Sequence, residues 1–303
     1  MTADAPARPA AQPRPRRGRA VLMALVPVVL WGVSFPVTRV TVQALPPLAL
    51  AALRFLLATA VLWPLARRNA PPLGRADRPR AWALGLLGVT VYFAFENYGL
   101  LLTTASHAAL IVATVPLVSA AAEAVQRRRA PRPLPVLGMI LALAGVAVVV
   151  RPDGTGAASP LGDALMLGAM ASWVGYTLLA RDLMLRYPPL TVTAATMGTG
   201  ALTLLPLAAL EAAFRPLHAP TPAAWGAVAY LGLLCSAAAY LLWNLALPVL
   251  GVSLANNLLN GIPLLSVLTG VLLLGEPFTW SLALGGGLVL AGVVLAERTG
   301  ERG

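Results

Sequence analysis

The chain has 303 residues, 58% of them hydrophobic and 11% charged, with a formal charge of +11. Soluble domains carry about 25% charged residues, so this composition excludes an ordinary soluble globule and points to a bilayer, where a span takes ~20 apolar residues. The positive balance does not indicate nucleic acid, because the arginines sit between apolar runs, and the single Cys235 excludes a disulfide framework or a cysteine metal site.

The first residues hold Arg8, Arg14, Arg16, Arg17 and Arg19 against one acid, Asp4. An Arg-rich leader of this kind suggests a transit peptide, but Pro6, Pro9, Pro13 and Pro15 prevent the amphipathic helix such a leader needs. The Arg16-Arg17 pair matches a twin-arginine signal only superficially. Residues 1–19 are expected to form a disordered basic cytoplasmic tail whose charges set orientation. Ten apolar spans follow, at about 20–40, 47–66, 82–102, 105–125, 133–150, 161–180, 190–210, 222–246, 252–274 and 280–297. Irregular backbone cannot face lipid, so each is expected to be a helix. Some breaks are as short as Thr103-Thr104 or Leu250-Gly251.

All cations are arginine, which with the Ala/Leu richness points to a GC-rich bacterial genome. With the N-terminus inside, the loops on the cytoplasmic side hold Arg67, Arg68, Arg75, Arg78, Arg80, Arg127, Arg128, Arg129, Arg132, Arg181 and Arg186, and the C-terminal tail adds Arg298 and Arg302. The opposite side holds only Arg39, Arg151 and Arg215. Cytoplasmic loops carry the excess of positive residues, so both termini are expected in the cytoplasm of a bacterial inner-membrane, multi-pass protein.

A repeat divides the spans. NYGLLLTTASHAALIVATVPL (97–117) returns without a gap as NLALPVLGVSLANNLLNGIPL (244–264), 147 positions later. Asn97 recurs as Asn244, Ser106 as Ser253 and Pro116 as Pro263; at an offset of 142, Trp31 recurs as Trp173 and Arg39 as Arg181. The expected fold is an all-α membrane protein with ten transmembrane helices in two five-helix repeats, 20–150 and 161–297, joined by a periplasmic linker (151–160) and closed by a cytoplasmic tail (298–303). A five-helix unit that starts inside ends outside, so the second copy is inverted. Inverted repeats are the architecture of many secondary transporters, whose substrate sites lie near the midplane between them.

These stretches also resemble a known family. WGVSFPVTR (31–39), ALRF (52–55), SHAALIVATVPL, SLANNLLNGIPLLSVLTGVLLLGEP and the Gly-rich last span resemble the EamA type of the drug/metabolite transporter superfamily over residues 20–297. The resemblance implies a ten-helix exporter of small metabolites without enzymatic activity, and the intramembrane aromatic residues look most like the branch that exports amino acids, aromatic ones included. One departure stands out: Leu274-Gly275-Glu276 ends the second copy where the first has Gln126-Arg127-Arg128-Arg129.

An ionisable group inside the membrane is a functional candidate by default. Glu96 lies about six residues from the outer end of its span, roughly 9 Å deep at 1.5 Å per residue, and Arg54 is at similar depth. Two readings stand: a buried Arg54–Glu96 ion pair, or a cavity-lining Glu96 that meets a substrate amino group or a coupling proton. His107 either reaches interfacial water, lines the cavity or titrates near neutral pH. Asn256, Asn257 and Asn260 either tie helices together or, for Asn257 and Asn260, read a substrate carboxylate or amide. Trp31 and Phe35, Tyr92 and Glu96, and Tyr240 and Asn244 are four apart, and Trp173 and Tyr176 three apart, so each pair shares a helical face. Converging rings would accept aromatic side chains by stacking and organic cations by cation–π attraction. Asn97, Asn244, Pro116, Pro263, Arg39 and Arg181 are assigned to scaffold and gating, with Glu123, Asp182 and Arg186 near the inner face. Gly138-xxx-Ala142 and Gly287-xxx-Ala291 permit close helix approach, within the chain or between two copies.

With only His107 and His218, one Cys, and no HExxH or paired intramembrane carboxylates, the sequence argues against an intramembrane enzyme, and the lack of a P-loop argues against an ATP-driven pump. The reading is a carrier without cofactor or metal that exports amino acids by alternating access, with an organic-cation exporter as the second reading. Its partners are a small-molecule substrate and the lipid bilayer; proton coupling and oligomeric state stay open.

Overall fold

A computed structural model describes residues 17–115, 117–118, 133–149, 158–215 and 220–297, with backbone alone at 134–135, 181–182, 247–248, 251–257 and 296–297. Among them the helices are α1 (Arg17–Ala44), α2 (Pro47–Asn69), α3 (78–102), α4 (Ala105–Val112), α5 (Pro133–Val149), α6 (Pro160–Arg186), α7 (Pro189–Phe214), α8 (222–259), α9 (Gly261–Leu274) and α10 (Trp280–Glu297). No strand occurs among the described residues. The chain folds as an all-helical membrane protein: six of these helices are long and apolar enough to cross a bilayer.

Local chemistry explains the starts. Pro47, Pro160, Pro189 and Pro222 occupy the first helical turn, where a missing N–H costs nothing. The side chains of Thr104, Ser159 and Thr221 cap α4, α6 and α8 by accepting from His107 N, Gly162 N and Ala224 N. Gly275, at φ 65°, ends α9 in the left-handed conformation that a Cβ disfavours.

Two stretches are π-wound, Leu86–Val91 in α3 and Tyr230–Ala238 in α8. Such windings are rare and recur at functional sites. Carbonyls in both receive side-chain donors from another helix. Ser172 Oγ of α6 donates to Leu87 O at 2.7 Å, and Trp31 Nε1 of α1 donates to Cys235 O at 3.0 Å.

The packing pattern is unchanged when the two halves are exchanged. Helix α2 packs on α7, α4 on α9 and α5 on α10, while α1 packs on α8 and α9 as α6 packs on α3 and α4. Helices α5 and α10 approach closely. A Cβ at Gly292 would lie 2.4 Å from Gly138 O and 2.6 Å from Ala142 N, and one at Gly145 would lie 2.6 Å from Gly285 O.

Three expectations change here. Helix α8 passes without a break through Leu250-Gly251 and turns only at Asn260, since a single glycine is tolerated inside a membrane helix. Gly138-xxx-Ala142 does pack within the chain, but its partner surface on α10 is Gly285–Val289–Gly292. Gly287 has open space around it and Ala291 is exposed. Helix α1 begins at Arg17, so residues 17–19 are helical; residues 1–16 and most of the expected linker lie outside the described residues.

Candidate functional site

The largest aromatic assembly lies where both halves meet. Trp31 of α1 packs edge-on against Tyr240 of α8, with centroids 5.4 Å apart, and lies 5.8 Å from Trp243. Trp173 of α6 reaches the same Tyr240 at 6.0 Å, Tyr92 of α3 at 5.3 Å and Tyr176 at 5.1 Å. Phe93 and Phe55 extend the chain of rings toward α2, at 4.7 Å from Tyr92 and 4.6 Å from each other. Edge-to-face pairs of this kind are each worth about 1 kcal/mol beyond area burial. Two apolar grooves open on the outside of the bundle, between α9 and α10 and between α1 and α8, and neither is lined by these rings.

Two buried charges border the rings. Glu96 accepts from the Tyr92 hydroxyl at 3.1 Å, an i,i+4 contact along α3. Arg54 donates from Nε to Ser236 Oγ at 3.0 Å and sets its guanidinium 4.4 Å from the Phe93 centroid and 5.3 Å from that of Phe55. The Arg54–Glu96 ion pair, one of the two readings, is not formed: no contact within 4.0 Å joins the two side chains. Similar depth sets two residues at one level without setting the direction each faces. Arg54 faces α8, whose π winding carries Ser236.

A second polar cluster closes one end of the bundle. Glu276, just past Gly275, accepts from Ala105 N (2.7 Å), Ser106 N (3.1 Å) and Ser106 Oγ (2.6 Å), capping α4 from a distant loop. Arg39 pairs with Glu276 through Nε at 3.6 Å and donates from Nη1 to Thr103 O, so it cross-links this end of the bundle. Asp163 takes the Thr103 hydroxyl at 2.6 Å and lies 3.4 Å from His107 Nδ1. At the same end Glu211 caps α2 by accepting from Leu48 N (2.8 Å) and Ala49 N (3.1 Å), and takes the Tyr98 hydroxyl at 2.6 Å. At the other end Asp77 joins α3 to α6, with Arg186 donating twice at 2.7 and 2.9 Å and Tyr187 at 2.8 Å.

The EamA-like transporter family matches this chain at residues 18–151 and again at 160–297. The chain belongs to the EamA-like transporter family. An uncharacterized transporter of Archaeoglobus fulgidus is 31% identical over 281 residues, 92% of this chain and 98% of that protein. A probable terminal-alkyne amino-acid exporter of Streptantibioticus cattleyicolor is 29% identical over 286 residues, 92% of this chain and 94% of that one. A solved crystal structure, 23% identical, aligns with a TM-score of 0.65 over 94% of this chain and all of its own, a likeness of fold alone.

In this EamA-like transporter the candidate residues fall into separate groups. Trp31, Tyr92, Glu96, Trp173, Tyr176 and Tyr240 come together. Phe35 shares a face with Trp31 but packs in the apolar core among α1, α4, α5 and α9. His107 is buried against Asp163, away from the rings. Asn260 is half-buried at the α8–α9 turn, and the side chains of Asn256, Asn257, Arg181 and Asp182 lie outside the described residues, as do Pro116 and Glu123. Asn97 donates to Pro47 O at 2.8 Å and Asn244 to Thr193 Oγ1 at 2.6 Å, helix-to-helix ties in both halves. Pro263 lines the outer α9–α10 groove. Sequence reasoning missed Asp77, Asp163, Glu211 and Glu276 as network centres. The one available signal was the Gly275-Glu276 pair, a left-handed turn residue followed by an acid at the end of an apolar run.

Proposed function

We propose that the protein is a secondary carrier of the bacterial inner membrane that exports small metabolites, amino acids including aromatic ones first, by alternating access. In this reading ten helices form two inverted repeats, 20–150 and 161–297, with both termini cytoplasmic. The Glu276 end then faces the periplasm and the arginine-rich Asp77 end the cytoplasm. The observation that carries the reading is the meeting of Trp31, Tyr92, Trp173 and Tyr240, drawn from α1, α3, α6 and α8, beside the separate buried charges Arg54 and Glu96. Midplane sites between repeats are where secondary carriers bind substrate. The double family match, the packing that survives exchange of halves and the amino-acid exporter among the relatives support it. The ring-lined site with Glu96 also favours a second reading, export of organic cations.

The test is flux in liposomes containing the purified protein, with radiolabelled amino acids offered with and without a pH gradient. Saturable flux of an aromatic or aliphatic amino acid is expected, and acceleration by the gradient would assign proton coupling. Flux confined to organic cations would replace the first reading by the second.

A further inference from the structure

Arg54 and Glu96 are both nearly fully buried, at 3% and 6% exposure, yet each leaves part of its hydrogen-bonding capacity unused. Arg54 spends Nε on Ser236; Nη1 and Nη2 make no hydrogen bond to the described residues. Glu96 spends Oε1 on Tyr92, and its Oε2 makes none. These atoms are not walled in. The fully enclosed side-chain atoms that lack a partner among the described residues are Thr59 Oγ1, Asn97 Oδ1 and Thr196 Oγ1, and none belongs to Arg54 or Glu96. The free edges of both charges therefore remain within reach of a water-sized group. Both charges border the same rings: the guanidinium lies over Phe93, whose ring is 4.7 Å from that of Tyr92, and the Tyr92 hydroxyl donates to Glu96.

Burying a charge without a partner is costly, and removing it from water is repaid only by close, well-directed contacts. Two opposite charges that make no direct contact are both compensated at once by a ligand with an anion and a cation on adjoining atoms. The guanidinium fork matches a carboxylate with two parallel N–H···O bonds, and a carboxylate accepts from an ammonium. We propose that Arg54 and Glu96 form a two-ended site for zwitterions, Arg54 holding the α-carboxylate of an amino acid and Glu96 its α-ammonium, with the side chain directed into the rings of Trp31, Tyr92, Trp173 and Tyr240. This rests on the carrier reading and sharpens it. Lone cations leave Arg54 uncompensated and lone anions leave Glu96 so, which makes the pair a selectivity device as well as an anchor.

The test is equilibrium binding to the purified full-length protein in detergent, using three matched ligands: L-phenylalanine, phenethylamine and 3-phenylpropionate. A second series of L-leucine, 3-methylbutylamine and 4-methylpentanoate removes dependence on the ring. In one series at least, the wild-type protein is expected to bind the amino acid at least about tenfold more tightly than either single-charge analogue, the scale of one charged hydrogen bond. Arg54→Gln is expected to weaken the amino acid and the acid at least about tenfold and to leave the amine unchanged or tighter; Arg54→Lys recovers part of the loss, and Glu96→Gln shows the mirror pattern. The wild-type series needs no variant, so a variant that does not fold leaves it decisive. Amine and amino acid bound equally by the wild-type protein, or weakened equally in Arg54→Gln, overturn the zwitterion site and leave the carrier reading standing. No binding of any of the six ligands overturns both.

Discussion

Trp31 and Trp173 converge on one tyrosine: both rings stand nearly perpendicular to Tyr240, at 73° and 70°, with centroids 5.4 and 6.0 Å away. They occupy equivalent places in the two halves, 142 positions apart, so Tyr240 marks a place where repeat symmetry is spent on a single feature. Their roles then differ, because only Trp31 also donates to a π-wound carbonyl, that of Cys235. Trp31→Ala and Trp173→Ala are each expected to weaken aromatic-substrate binding about three- to tenfold, the value of one ring pair. Trp31→Ala is expected to lower thermal stability further, since it also removes the bond to Cys235 O. Binding and melting measured on both variants check this; equal melting losses would count against the Cys235 contact.

The α5–α10 contact gives a sharp contrast within one helix. Gly292 has no room for a side chain against Gly138 and Ala142, whereas a Cβ at Gly287 meets nothing within 4 Å. Gly292→Val is expected to lower melting strongly or abolish membrane yield, because overpacking costs about 1–3 kcal/mol or more. Gly287→Val is expected to be close to neutral in the same assay, and a comparable loss there would place a second helix on that exposed face.

Glu276 holds Arg39, two backbone N–H groups of α4 and the Ser106 hydroxyl. Glu276→Ala leaves all of these without their acceptor and is expected to destabilise by about 2–3 kcal/mol, nearer the lower figure because Arg39 keeps some contact with solvent. Glu276→Gln retains an amide oxygen and is expected to lose less. Thermal denaturation in detergent of both variants reads the order, and an Ala variant as stable as the Gln variant contradicts the capping role.

The fold and the site were legible to different degrees, for physical reasons. Repeat offsets and apolar run lengths are local along the chain, and they located α1 to α7, whereas the small residues Gly138 and Ala142 did not say which helix would pack on α5. Helical spacing found Trp31, Tyr92, Trp173 and Tyr240, because i,i+3 and i,i+4 neighbours share a face whatever the tertiary fold. Of the two readings of Arg54 and Glu96, the ion pair fails because depth along a helix says nothing about rotation about its axis, and the π winding of α8 presents Ser236 to Arg54. Glu276 and Glu211 cap helices 171 and 163 residues away, and no periodicity reports a contact of that separation. The α8–α9 break was misplaced for the opposite reason: Leu250-Gly251 carries a local breaker signal that neighbouring helices override.

Asn97 and Asn244 reach corresponding turns by different routes. Asn97 donates directly to Pro47 O, while Asn244 donates to Thr193, whose hydroxyl passes the contact to Pro189 O at 2.7 Å. Asn97→Ala loses one bond but also removes the unpartnered Oδ1, so a net cost of about 1 kcal/mol or less is expected. Asn244→Ala leaves the Thr193–Pro189 bond in place and is expected to cost as little. Ligand selectivity measured on both variants is expected to match the wild-type protein, and an altered preference would move these amides from frame to site.

Counterflow of an aromatic amino acid into preloaded liposomes, compared between the wild-type protein and Tyr240→Ala at equal incorporation, addresses the site between the halves most directly. Saturable exchange by the wild-type protein is expected, reduced at least about tenfold in Tyr240→Ala, which loses both tryptophan contacts at once. Exchange by Tyr240→Ala at the wild-type rate would contradict the placement of the site at Tyr240.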